Sequence, residues 1–146
     1  MPSNPKSTTE YTSGTTQFLN VDLDIFSTWD LQALVTALGD KVDVLHVGRY
    51  KRTYETHLEL ASYKPPKNPD RAIRDFCKLI RQLPSAAREV WDAAKIRQFN
   101  IGIAKGTEPP THWFAIESET IKAAAEVNAR IALTIYPPYP PENKKS

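Results

Sequence analysis

Asp22 and Asp24 stand two residues apart in the run Phe18-Leu-Asn-Val-Asp-Leu-Asp-Ile-Phe26, and Glu55, His57 and Glu59 repeat that spacing further along. Residues two apart on an extended chain project from the same side, about 6.5–7 Å along it. Carboxylates and an imidazole brought together this way can work as general acid and base, or surround a hard cation. An acidic strand pair that merely faces water or a protein has the same pattern. Spacing alone therefore assigns no catalytic residue and no metal ligand, and Asp22, Asp24, Glu55, His57 and Glu59 are read first as a partner-binding surface.

Other chemistry-bearing residues give less. His46 lies in a mostly apolar segment and is expected as a hydrogen-bonded core or edge residue. His112 and Trp113 follow Pro109-Pro110-Thr111 and suit a loop-anchoring aromatic pair. Cys77 falls on an apolar helical stripe, where a thiol is buried and inert rather than nucleophilic. Trp29, beside a helix start, and Trp91, on an inner helix face, read as structural. Gly102-Ile-Ala-Lys-Gly106 lacks the spacing of a phosphate-binding loop or dinucleotide fingerprint, and no cofactor is expected.

The elements that must position these groups follow from periodicity. Leu19, Val21, Leu23 and Ile25 alternate with Asn20, Asp22 and Asp24, which marks a strand with one buried and one polar face. Ser27 or Thr28 should cap a helix carrying Leu31, Leu34, Val35 and Leu38 on one stripe, with Gly39 as its stop. Residues 42–49 and 54–61 predict a hairpin, turning at Tyr50-Lys-Arg-Thr53. Asn68 and Pro69 open a helix that buries Ile73, Phe76, Cys77, Ile80 and Leu83 and ends at Pro84. A shorter helix follows with Ala87, Val90, Trp91 and Ala94 inside, then a strand through Phe99, Ile101 and Ile103. The run His112 to Ile116 suggests another short strand. Ser118 should cap a helix with Ile121, Ala124 and Ala125 inward, and Arg130 to Tyr136 a last strand.

This order predicts an α+β two-layer sandwich, a ferredoxin-like β-α-β-β-α-β core extended by a C-terminal α-β unit. Residues 1–16 lack Leu, Ile, Val, Phe and Trp, and residues 137–146 are Pro, Lys, Glu and Asn with one Tyr and one Ser, so both read as disordered tails. Residues 17–136 then form a single domain. No run approaches the ~20 apolar residues of a membrane span, no signal-peptide core opens the chain, and one cysteine makes no disulfide framework. A soluble, cytoplasmic protein without membrane contact is expected.

The net charge of +2 hides a division. Residues 18–48 carry five Asp against one Lys, whereas residues 49–97 carry twelve Lys and Arg against six Asp and Glu. Arg71, Arg74, Lys78 and Arg81 are spaced to share one outward helical stripe, opposite an acidic sheet face.

The segment Ile116-Glu-Ser-Glu-Thr-Ile-Lys-Ala-Ala-Ala-Glu-Val-Asn-Ala-Arg-Ile-Ala-Leu-Thr-Ile-Tyr136 is a capped small-residue helix running into a strand that closes on Tyr. Together with the alternating first strand and the Leu31 to Gly39 helix, it resembles an uncharacterised bacterial ferredoxin-like α+β domain family, some of whose members are immunity-protein-like. The resemblance implies no catalytic residues. It implies a non-enzymatic interaction module that binds a protein partner, or its own copy, through the acidic face. Two other functions fit the residues: a small enzyme or ligand- or metal-binding protein centred on His57, Asp22 and Asp24, and sequence-independent nucleic-acid binding through the basic stripe. The last is disfavoured, because acidic side chains occupy the sheet positions where an RNA-binding sheet needs aromatic ones.

Overall fold

A computed structural model describes residues 14–61, 66–108 and 111–138. The expected tails beyond these limits, and Pro109 and Pro110, lie outside the described residues. Five strands, β1 (Gln17–Ser27), β2 (Val42–Tyr50), β3 (Thr53–Leu60), β4 (Ile96–Ala104) and β5 (Arg130–Tyr136), form one mixed sheet in the order β2-β3-β1-β4-β5. Four helices, α1 (Gln32–Leu38), α2 (Pro69–Arg81), α3 (Ser85–Ala93) and α4 (Ser118–Glu126), complete an α+β fold. In the first four strands of the sheet each neighbour is antiparallel to the next, and β5 adds parallel to β4. Among the described residues no helix is long and apolar enough to cross a membrane.

Alternation decides which face of the sheet is covered. Val21, Leu23 and Ile25 of β1 pair with Leu58 and Thr56 of β3 and with Ile101 and Phe99 of β4, and all are buried. Leu34, Leu38, Ile73, Phe76, Cys77, Ile80 and Trp91 close over this face from the helices, with Phe76 stacked on Phe99 at 5.6 Å. Asn20, Asp22 and Asp24 consequently project from the opposite, open face. Cys77 is buried, and loss of solvent pushes its thiol up to about 11, which keeps it protonated and unreactive.

Local chemistry ends the elements as the residues require. Asn68 accepts a hydrogen bond from the Arg71 amide at 2.8 Å, with Pro69 in the first turn. Gly39 terminates α1 at φ 59° and ψ −138°, a region that only glycine enters without strain. The start of α1 departs from the expected cap. Ser27 still belongs to β1, and the helix begins after Leu31, with Asp30 accepting from the Gln32 amide at 2.7 Å.

Three further expectations are corrected. Residues 112–116 form no strand: they lead into α4 beside β5 without pairing to the sheet, and Trp113 is 79% exposed. In α4 the inward positions are Thr120 and Ala124, followed by Val127, at spacings of four and three, which turns Ile121 outward. Thr120 is tolerated inside because its hydroxyl accepts from Arg74. Trp29 is exposed rather than packed.

Gly14 to Thr16 are clasped by the loop after β4. The Thr107 and Glu108 amides donate to the Gly14 carbonyl at 3.1 and 2.9 Å, and the Gly106 amide donates to the Thr16 hydroxyl at 3.0 Å. A Cβ on Gly106 would meet the Gly14 carbonyl and stand 2.7 Å from the Thr16 amide nitrogen, both backbone atoms. Gly106→Ala is therefore expected to cost about 1–3 kcal/mol, as overpacking against backbone does, in a denaturant titration. Unchanged stability would contradict the clasp.

Candidate functional site

The open face gathers the residues singled out by their spacing. Pairing of β1 with β3 sets Asp24 across from His57 and Phe26 across from Glu55. Pairing of β1 with β4 sets Asp22 across from Asn100 and Asp24 across from Gln98. Asp22, Asp24, Glu55, His57 and Glu59 are thus neighbours on one surface. Asp22, Asp24, His57 and Asn100, with Leu45, His46 and Tyr136, line a concavity of about 590 Å³.

Two hydrogen-bonded groups organise it. In the first, His57 bridges two carboxylates, with Nδ1 2.7 Å from Asp24 Oδ1 and Nε2 3.2 Å from Glu55 Oε1. Asp24 is 5% exposed, and its second oxygen accepts from Gln98 Nε2 at 3.0 Å. Arg130 Nε in turn donates to Gln98 Oε1 at 2.8 Å. The hydrogen bond to Asp24 raises the His57 pKa above its ordinary 6.5; burial opposes this, and Glu55 adds to it. Phe26 meets His57 edge-on at 5.7 Å, and His46 lies 5.8 Å from it.

The second group is a carboxyl pair. Asn20 Nδ2 donates to Glu59 Oε2, and Glu59 is hydrogen bonded to Asp22. Burial, the charges of Glu59 and Asp24, and the shared hydrogen bond with Glu59 push Asp22 from 3.8 up to about 7. Two carboxylates in hydrogen-bond contact cannot both ionise cheaply, so the pair retains one proton into the neutral range. The charge of His57 opposes this rise. His57 is itself already engaged by Asp24 and Glu55.

Gln98, Arg130, His46 and Leu45 were not legible as parts of this face. Gln98 precedes the apolar alternation that marks β4 and Arg130 opens β5; both lie one step outside the obvious pattern. His46 reaches the face through a β-bulge between Val44 and His46, which sets His46 across from His57 and Leu45 at the rim. The Thr56 hydroxyl donates to the His46 carbonyl at 2.8 Å, bracing the bulge.

The basic stripe lies on the helix side of the molecule. Arg71 pairs with Asp75 at 3.2 Å and Arg74 with Asp70 at 3.0 Å, each within α2. Arg74 and Arg81 line a shallow depression with Lys122, but Glu119 and Glu126 line it too. Burial opposes ionisation of Asp70, yet hydrogen bonds from the Glu117 amide and Thr120, and the charge of Arg74, hold its carboxyl below the ordinary value. The stripe is therefore laced with carboxylates and fastens α2 to α4. Among the described residues no group of three or more His, Cys, Asp or Glu is arranged to hold a metal ion.

No family model, curated protein or solved structure matches the chain. Its function has to be argued from the geometry of the open face.

Proposed function

We propose that this chain is a non-enzymatic protein-binding module whose open sheet face receives a basic side chain of a partner protein, in the manner of an immunity protein. The observation that carries this reading is the Asp22–Glu59 pair. Burial and the charges of Glu59 and Asp24 hold a proton on Asp22 up to about 7, and among the described residues no lysine or arginine forms an ion pair with it. A guanidinium entering the concavity supplies the balancing charge, and the fork of Arg matches a pair of carboxylates in geometry as well as sign. The proton leaves as the cation arrives.

The same reading treats β1 to β4 and their helices as a ferredoxin-like unit, supported by the order β2-β3-β1-β4 and its antiparallel directions. It places the protein in the bacterial cytoplasm, where a single reduced thiol such as Cys77 is ordinary. Arg71 and Arg74 hold carboxylates of their own helix, so nucleic acid is not part of this reading.

Nuclear magnetic resonance titration of the full chain with a short arginine-rich peptide tests it, with a glutamate-rich peptide as control. Signals of Asp22, Asp24, His57 and Glu59 are expected to move with the arginine peptide only. The response should weaken with salt, because exposed charge pairs are screened. It should also vanish in the Asp22→Asn/Asp24→Asn/Glu59→Gln variant. Signals that stay in place, or that move equally in the variant, count against the proposal.

One observation favours a second reading. Asp22 and His57 both line the concavity and both have raised proton affinity, an arrangement suited to acid–base work on a small molecule. A thermal-shift screen of small metabolites separates the two readings. Stabilisation by a neutral or anionic compound, lost in Asp22→Asn, favours the enzyme.

A further inference from the structure

The sheet has two edges, β2 and β5, and they are built differently. β2 is kinked by the bulge at Leu45 and carries Asp43 and Arg49. Bulges and charges are the usual devices that keep an edge strand from pairing with another chain. β5 has neither after Arg130: Ile131-Ala-Leu-Thr-Ile-Tyr136 holds no charge, proline, glycine or bulge. Among the described residues no strand pairs with its outer edge.

The same strand shows apolar side chains to water. Ile131, Leu133 and Ile135 point to the helix side, yet α4 packs beside α2 and leaves Leu133 and Ile135 58% and 57% exposed. The loop before α4 adds Trp113 and Phe114, and these four residues border one groove of about 530 Å³, with Ile101 and Ile103 at its base. Exposed apolar surface beside an open strand edge marks an interaction site rather than a solvated face.

We infer that β5 pairs antiparallel with β5 of a second copy of this chain, making a twofold dimer with a continuous ten-stranded sheet. What selects a second copy is the strand's own symmetry. A twofold axis through Leu133 sets Leu133 across from Leu133, and Ile131 across from Ile135 of the other copy, on the helix side. On the open side Ala132 meets Thr134, and Arg130 meets Tyr136, so no like charges face each other. Apolar and β-branched cross-strand pairs are the stabilising kind. A head-to-tail joint of β5 with β2 is a poorer match, because the bulge at Leu45 breaks its register and the contact does not close. The dimer sets Arg130 of the second copy beside Tyr136, at the rim of the concavity, while Asp22 and Asp24 lie two strands away on β1. Its test reads mass and edge-amide exchange, so it fails separately from the proposed function.

Sedimentation equilibrium of the full chain at about 100 µM, well above the Kd of a modest interface, is expected to give twice the mass of 16.5 kDa. Leu133→Lys, which buries charge at the twofold axis, and Ile135→Pro, which removes an amide of the outer edge while the neighbouring Tyr136 backbone stays bonded to β4, should each give the monomer mass with an unchanged circular dichroism spectrum. Amide exchange covers the case in which either variant fails to fold. The outward amides of β5 should be protected at high protein concentration and exchange freely on dilution. A wild-type monomer at that concentration, a dimer that survives in both variants, or β5 exchange independent of concentration overturns the inference.

Discussion

Asp22→Asn is expected to stabilise the protein by about 1–3 kcal/mol near pH 8 and to change it little near pH 4. Asp22 gives up its proton near 3.8 in an unfolded chain and near 7 in the folded one. Between these values the folded state holds a proton that the unfolded state has lost, so stability falls as pH rises through this window. Above about 7 the whole penalty remains, because the carboxylate must ionise largely out of water and beside Glu59 and Asp24. A separation of about three units corresponds to roughly 4 kcal/mol if taken whole, and partial solvent access reduces it. An amide at this position keeps the shape and can still donate to Glu59, without the charge.

His57 contributes with the same sign in a different window. Its raised pKa stabilises the folded state below about 6.5, and that contribution is lost as pH rises through the higher folded value. Wild-type stability should therefore decline from about pH 4 upward, whereas Asp22→Asn should decline only above about pH 6.5. Denaturant midpoints across this range read the difference directly. Parallel curves for the two proteins between about pH 4 and 7 would mean that Asp22 ionises normally. A residue whose removal stabilises the fold is one whose retention needs a reason other than stability.

Trp91→Ala carries the largest expected loss, about 3–5 kcal/mol, a large share of the stability of a domain this size. Trp91 is fully buried on α3, and its indole N–H donates to the Val127 carbonyl at 2.9 Å, just after α4. It therefore joins the helix layer to the turn that launches β5. Arg97 strengthens the same junction, donating to the Ala94 carbonyl at 2.7 Å and the Asn128 carbonyl at 2.9 Å. Trp91→Phe separates packing from hydrogen bonding, since it keeps most of the ring but leaves the Val127 carbonyl without its donor. It should cost about 1–3 kcal/mol. A loss below about 1 kcal/mol for Trp91→Ala would contradict this placement of the indole.

The polar face was legible because alternation is a geometric property of extended chain. Once Val21, Leu23 and Ile25 go inward, Asp22 and Asp24 must go outward, and Leu58 imposes the same on His57 and Glu59. The helix stripes were legible for the same reason in α1, α2 and α3. What sequence could not show was set by neighbours distant in the chain. The bulge that turns His46 toward His57 has no residue signature, because neither glycine nor proline marks it. Ile121 lost the inward position of α4 to Thr120, whose hydroxyl finds its partners, Arg74 and Asp70, on α2. The apolar run 112–116 has the composition of a strand, but it joins no strand of the sheet, and its side chains border the groove beside β5 instead. Above all, the raised proton affinity of Asp22 comes first from burial within the folded sheet and then from Glu59, on another strand.

The claim that the open face is a cation-accepting surface is tested most directly by the Asp22 carboxyl itself. Carbon-detected pH titration of the full chain, without and with the arginine-rich peptide, measures its pKa in each state. A value near 7 in the free protein, falling by a unit or more as the peptide binds, is the predicted result. An Asp22 that titrates near 3.8 in the free protein, or one that stays near 7 with the peptide bound, would contradict it.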